Sequence, residues 1–74
     1  MTITISMEQD QYDIMTNPDN SIQGVLQILG ERGMLSLQEV PLLVYSVRKK
    51  RYIATEQTFR QAGIYQGDRL RVNA

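Results

Sequence analysis

The sequence predicts one α+β domain, residues 1–74, in which a mixed sheet of four or five strands packs on one main helix in the order β-β-α-β-β-β. Three observations lead to this prediction. The chain has 74 residues, which is enough for one modest hydrophobic core. Several short segments alternate apolar and polar residues, as half-buried strands do. One segment between them has the apolar spacing of an amphipathic helix.

The first sixteen residues are expected to form a β-hairpin. Apolar side chains recur at every second position on either side of the polar break 8–11, at Ile3, Ile5, Met7, Tyr12 and Ile14. The break contains no Asn-Gly or Asp-Gly pair, so the type of turn stays open.

A helix is expected to follow, from about Ser21 to Arg32. The segment 17–21 contains a proline, which cannot donate to a sheet, and side chains that can cap a helix. One helical face comes next, formed by Ile22, Val25, Leu26 and Leu29. Either Gly30 or Gly33 can supply the left-handed residue that ends the helix.

The second half of the chain alternates short apolar segments with turns. Three further strands are expected, at 42–47, 52–54 and 69–72. The irregular connection 34–40 carries two leucines that should hold it against the core, and 58–64 is long enough only for a short turn of helix.

These elements are arranged most economically when the sheet curls around the helix and each buries its apolar face on the other. A right-handed crossover through the helix brings a later strand back parallel to the first one. The N-terminal hairpin is therefore expected beside the final strand. This arrangement is the β-grasp fold.

Two segments of the sequence resemble segments of known proteins. One is Tyr12-Asp13-Ile14-Met15-Thr16, which runs through Pro18 into the helix, and the other is Ala62-Gly63-Ile64 followed two residues later by Gly67-Asp68-Arg69-Leu70. In these segments, and in its order of elements, the chain resembles ubiquitin and more closely the YukD/EsaB group of small bacterial ubiquitin-like proteins. That resemblance implies a cytoplasmic accessory or regulatory component of a type VII (ESAT-6-like) secretion system. It also implies a protein partner within the membrane-embedded secretion machine.

The end of the sequence bears on whether the chain is a conjugated modifier or a sulfur carrier. Ubiquitin-like proteins that are conjugated, or that carry sulfur, have a flexible tail ending in Gly-Gly. Here Asn73-Ala74 follow the last expected strand, so we expect neither activity. A β-grasp carrier or modifier is therefore the less favoured alternative. A third is a regulatory domain that self-associates weakly through an exposed edge strand.

The composition argues against catalysis and against cofactor, metal or nucleic-acid binding. The sequence has no Cys and no His, and therefore no thiolate, no imidazole and none of the usual zinc ligands. Eight basic residues balance eight acidic ones, whereas a nucleic-acid binder needs excess positive charge. Two carboxylate pairs are candidates for acid–base chemistry: Asp10 with Asp13, and Asp19 with Asp68. Turn formation and helix capping explain the same residues, so we expect no catalysis from them.

Membrane insertion is not expected either. No apolar run approaches the roughly 20 residues that cross a bilayer. The N-terminal segment 1–6 alternates apolar and polar residues, unlike the continuous apolar stretch of a secretory signal. We therefore expect a cytoplasmic protein.

The sheet face turned away from the helix is the candidate protein-binding surface. Strand side chains alternate, so inward Leu42 and Val44 would place Leu43 and Tyr45 outward. The complete candidate face consists of Thr4, Met15, Leu43, Tyr45, Arg69 and Arg71. Tyrosine and arginine often anchor interfaces. By resemblance, Leu43 and Arg71 lie near the surface through which ubiquitin binds its receptors. In the alternative register, shifted by one residue, Leu43 and Tyr45 would be core residues.

Four consecutive basic residues, Arg48, Lys49, Lys50 and Arg51, form a candidate basic contact loop. On a hairpin turn they could bind an acidic partner or anionic lipid headgroups. A solvated turn that keeps neighbouring strand edges from aggregating would have the same sequence. Both interpretations stay open.

Overall fold

A computed structural model describes residues 1–72 of the chain. In chain order its elements are β1 (Thr2–Met7), β2 (Asp10–Met15), α1 (Ile22–Glu31), β3 (Leu43–Ser46), β4 (Arg51–Ala54) and β5 (Arg69–Arg71). The expected order β-β-α-β-β-β is confirmed. Asn73 and Ala74, on which the expectation about a glycine tail rests, lie outside the described residues.

The five strands form one mixed sheet in the order β2-β1-β5-β3-β4. β1 runs antiparallel to β2 and parallel to β5. β3 runs antiparallel to both β4 and β5. The last strand therefore lies between the two hairpins, and the N-terminal hairpin lies beside it, as the right-handed crossover requires.

The core lies between the sheet and α1. We call the sheet face that packs on α1 the inner face and the opposite one the outer face. The helix contributes Ile22, Leu26 and Leu29 to the core, and these join inner-face strand residues such as Ile5 and Leu70. Burial of such side chains is the main stabilising contribution in a domain of this size.

The N-terminal end of α1 is closed by hydrogen bonds. The Ser21 hydroxyl accepts a bond from the Gly24 N–H at 2.9 Å, as an N-cap does. The first two helical N–H groups donate to the carbonyls of Gln57 and Thr55, at 3.0 and 2.8 Å. Three of the four donors that a helix start leaves without intrahelical partners are thus satisfied, and the end of β4 is tied to the helix.

One expectation about β3 is wrong. Leu42 was expected to face the helix, but it is 83% exposed, because it precedes the first residue of the strand, Leu43. Within the strand the alternation is as expected, with Val44 buried and Leu43 exposed. The register is therefore the one that turns Tyr45 outward.

Within residues 1–72, no helix has the length and apolar character needed to cross a membrane.

Candidate protein-binding surface

A row of side chains crosses the outer face from one edge of the sheet to the other. Register partners in adjacent strands place outward side chains next to one another. In order across the sheet, the row is Tyr52, Tyr45, Arg71, Ser6 and Gln11. The row therefore spans all five strands, and its aromatic and charged members lie on β3, β4 and β5.

Three neighbouring side chains of this row form what we call the tyrosine–arginine cluster: Tyr45 lies between Tyr52 and Arg71 and is close to both. The two tyrosine rings meet edge to face, with centroids 5.2 Å apart and an interplanar angle of 71°. The Arg71 guanidinium carbon lies 5.7 Å from the centroid of the Tyr45 ring. Both geometries are favourable, so the Tyr45 ring restricts the side chains on either side of it, while Tyr52 stays 58% exposed.

The other predicted face residues surround this cluster unevenly. Leu43, 53% exposed, lies two residues from Tyr45 on the same face. Arg69 and Thr4 are register partners in the next row, where the Thr4 hydroxyl donates to the Asp13 carboxylate at 2.6 Å. Met15 is also outward, but it lies on β2, at the far edge of the sheet from β4. The structure thus brings all the predicted residues except Met15 into one area.

The basic contact loop is divided rather than continuous. Arg48 donates to the Asp68 carboxylate at 3.0 Å, and Asp68 is almost fully buried. Lys49 lies 6.0 Å from the ring centroid of Tyr65. Lys50 is the last residue of the turn, and Arg51 is the first residue of β4, paired with the inner-face residue Ser46. The four charges therefore lie in different surroundings rather than in one continuous patch.

Two residues have roles that the sequence did not predict, Tyr52 on the outer face and Asp68 as a buried partner of Arg48. Tyr52 could have been found, because it precedes Ile53 in a strand and alternation places it outward when Ile53 is inward. Asp68 gave no such signal, because an acidic residue after a glycine is common in exposed turns. Here its second carboxylate oxygen accepts the Tyr65 N–H at 2.7 Å.

The carboxylate pairs considered for catalysis do not form a site. Asp10 and Asp13 lie on opposite faces of β2, because they pair with Met7 and Thr4 respectively. Asp19 forms its own ion pair with Arg60, 2.7 Å away, and this hydrogen bond and charge lower the pKa of the Asp19 carboxyl. Within residues 1–72, no group of three or more acidic side chains could hold a metal ion.

No protein-family model matches this chain, and no curated protein matches it in sequence. Among solved structures, the chain is similar to a ubiquitin-like protein from the hyperthermophilic archaeon Caldiarchaeum subterraneum. The two are 16% identical, the TM-score is 0.53, and the match covers 96% of this chain and 91% of the other. Likeness at this identity concerns the fold, which is therefore a ubiquitin-like β-grasp.

Proposed function

We propose that this chain is a non-catalytic interaction module that recognises a protein partner through the outer face of its ubiquitin-like sheet. The observation that carries this proposal is the tyrosine–arginine cluster. Tyrosine and arginine are enriched among the residues that dominate binding energy. Because the Tyr45 ring already restricts Tyr52 and Arg71, these side chains lose little freedom when a partner binds.

The ion pair between Asp19 and Arg60 has a structural explanation and needs no catalytic one. Catalytic groups usually have a strongly shifted pKa, caused by burial or by neighbouring charges in a cleft. The hydrogen bond and charge of the exposed Asp19–Arg60 ion pair lower the pKa of the Asp19 carboxyl and raise the pKa of the Arg60 guanidinium. A surface ion pair of this kind has a structural explanation.

The resemblance to the YukD/EsaB group supports a finer proposal. In this proposal the chain is a cytoplasmic accessory or regulatory component of a bacterial type VII secretion system. Its partner is a component of the membrane-embedded secretion machine, and the chain itself does not insert into the membrane. Rigid docking of the outer face, with no covalent step, is the mechanism.

Gene deletion followed by complementation tests both levels of the proposal. We expect deletion to reduce export of the small helical-hairpin substrates and the wild-type gene to restore it. Arg71→Glu, which reverses the charge over the Tyr45 ring, should fail to restore export. Arg51→Glu makes the same charge change on the helix side of the sheet and is the matched control.

Two outcomes would contradict the proposal separately. Unchanged export after deletion would contradict the secretion role but would leave the docking face untested. Full restoration by both Arg71→Glu and Tyr45→Ala would contradict the use of the outer face. Circular dichroism of each purified variant checks that the fold is retained.

A further inference from the structure

The β2 edge of the sheet has backbone groups available for another strand. Within residues 1–72, no strand pairs with β2 on the side away from β1. Met1 and Thr16 exchange two hydrogen bonds, both 2.9 Å. Since such pairs alternate along an antiparallel ladder, every second residue of β2 bonds to β1 and the others direct their N–H and C=O groups out of the sheet. These others are Gln11, Asp13 and Met15.

This edge has the length and regular backbone that strand addition requires, so charge is what selects the added strand. Natural edge strands are often very short, or contain a proline or a bulge. β2 has six residues, contains no proline and pairs with β1 in unbroken register from Asp10 to Met15. The opposite edge strand, β4, has four residues. β2 is therefore the longer of the two edge strands.

A groove of about 470 Å³ lies between this edge and α1, and its polar lining residues are Thr16, Asn17, Asn20 and Arg32. Its apolar lining consists of Ile14, Met15, Val25, Ile28, Leu29 and Met34. Ile28 is 49% exposed. Single exposed apolar side chains are common on protein surfaces, but Ile28 lines the same groove as Ile14, which is on the inner face of β2. The exposed Met15 borders the groove at the end of the strand.

The edge and the groove fit the same kind of ligand. A strand added beside β2 would pair its backbone with the outward N–H and C=O groups. Its side chains would alternate between the two faces of the sheet. Every second side chain would then lie on the inner side, over the groove, where an apolar residue is favoured.

The charges at this edge indicate which side chains of the added strand are favoured on the outer face. Asp13 is on the outer face of β2, and Glu8 and Asp10 are exposed where the hairpin turns. Opposite charges on adjacent strands attract, and like charges repel. A Lys or Arg is therefore favoured beside Asp13, and the β2 strand of a second copy is disfavoured. Arg32 also lines the groove and can pair with one carboxylate of the added strand.

We propose that the β2 edge and its groove form a second binding surface, separate from the outer face. Its ligand is an extended segment of a partner protein, with apolar residues at every second position and basic residues between them. The segment binds as a sixth strand beside β2.

Hydrogen exchange measured by NMR tests strand addition directly. The probe is the capped peptide Lys-Val-Lys-Leu-Lys-Val-Lys, and its control has the same composition in the order Lys-Lys-Val-Leu-Val-Lys-Lys. With the probe at about ten times its Kd, exchange of the Asp13 and Met15 amides should slow about tenfold. The amides of Tyr12 and Ile14, which already bond to β1, should not change.

Matched variants test the groove. Ile28→Lys places a charge among the apolar lining residues and should weaken probe binding at least about tenfold, which is the effect of losing about 1.4 kcal/mol. Gln27→Lys adds the same side chain at the preceding position of α1, where Gln27 donates to Glu31. This variant should bind the probe normally. Arg71→Glu on the outer face should also bind normally, which separates this surface from the one proposed above.

Three results would overturn this inference. Equal binding of the control peptide would show that alternation is not required. Chemical-shift changes centred on the tyrosine–arginine cluster would place the probe on the outer face. Protection of the Asp13 and Met15 amides that rises with protein concentration, without peptide, would show that a second copy occupies the edge.

Discussion

At the residue scale, Asp68 shows how a charged group can be buried in a small core. A buried carboxylate is costly unless donors surround it. Its two oxygens accept bonds from the Arg48 guanidinium, at 3.0 Å, and from the Tyr65 N–H, at 2.7 Å. The carboxylate thereby joins the β3–β4 turn to the turn that precedes β5, so the role of Arg48 is structural.

Replacing this carboxylate should destabilise the fold. We expect Asp68→Ala to lower the free energy of unfolding by about 1–3 kcal/mol, the cost of leaving buried polar groups without partners. Urea unfolding measures this difference. Arg69→Ala, at the next position but on the exposed outer face, is the control and should change stability by less than about 0.5 kcal/mol. Equal effects of the two variants would contradict a structural role for Asp68.

The Asp19–Arg60 ion pair predicts a pH dependence. The hydrogen bond from Arg60 and its charge hold the pKa of the folded Asp19 carboxyl below its ordinary value of 3.8. The stabilisation is therefore fully present above that value and is lost as the pH falls through the folded pKa. We expect wild type to be more stable than Asp19→Asn at neutral pH, with a difference that disappears in acid. Urea midpoints over a pH series measure it, and a difference that persisted in acid would argue against the ion pair.

Some features of the candidate site could be predicted from single residues, and some could not. The outward direction of Tyr45 and Arg71 follows from alternation, which is a local property of a strand. The division of the basic contact loop does not, because Arg48 and Asp68 are 20 residues apart and meet only through the tertiary fold. Runs of charge in the sequence therefore overstate the charge available for binding.

At the element scale, the end of α1 shows how a turn resolves an ambiguity of the sequence. Gly33 has a positive φ of 73°. Its N–H donates to the Gly30 carbonyl at 3.1 Å, and the Met34 N–H donates to the Leu29 carbonyl at 2.9 Å. These two bonds form the Schellman motif. Gly33, and not Gly30, is thus the left-handed residue that ends the helix.

Alanine substitutions at these two glycines should have opposite effects. Gly33→Ala should lower the free energy of unfolding by about 1 kcal/mol, because an L-residue is strained at positive φ. Gly30→Ala should raise it by up to about 1 kcal/mol, because alanine favours the helix interior and its Cβ would meet Leu37 at an ordinary 3.8 Å. Thermal and urea unfolding measure the free energy of unfolding of both variants. Stabilisation by Gly33→Ala would contradict the assigned helix end.

The elements themselves were predictable because their signals are local, whereas their ends were less so. Leu42 continues the apolar run of β3 in sequence, yet the strand starts after it. Thr55 bonds to this segment, with its hydroxyl donating to the Pro41 carbonyl at 2.7 Å. The start of β3 is therefore set by residues after β4. Thr58 and Gln61, which bond reciprocally as a capping box, fix the short turn whose position the sequence did indicate.

At the scale of the whole molecule, β5 joins the two halves of the sheet. It has three residues, Arg69–Arg71, yet it pairs with β1 of the N-terminal hairpin and with β3 of the second hairpin. Its central residue, Leu70, is fully buried in the core. The two hairpins have no other connection within the described sheet, so we infer that they unfold together.

Truncating the central side chain of β5 tests this coupling. Leu70→Ala should lower the free energy of unfolding by about 2–5 kcal/mol, a large share of the roughly 4–11 kcal/mol expected for a domain of this length. With Tyr12 and Tyr65 replaced by Phe, tyrosine fluorescence reports on Tyr45 and Tyr52 in the second hairpin. This signal should change at the same urea concentration as the backbone circular dichroism. Leu43→Ala removes the same atoms from the exposed outer face and should cost less than about 0.5 kcal/mol. Separate transitions for the two signals would show that β5 does not couple the hairpins, because a half-sheet would then persist without its bridging strand.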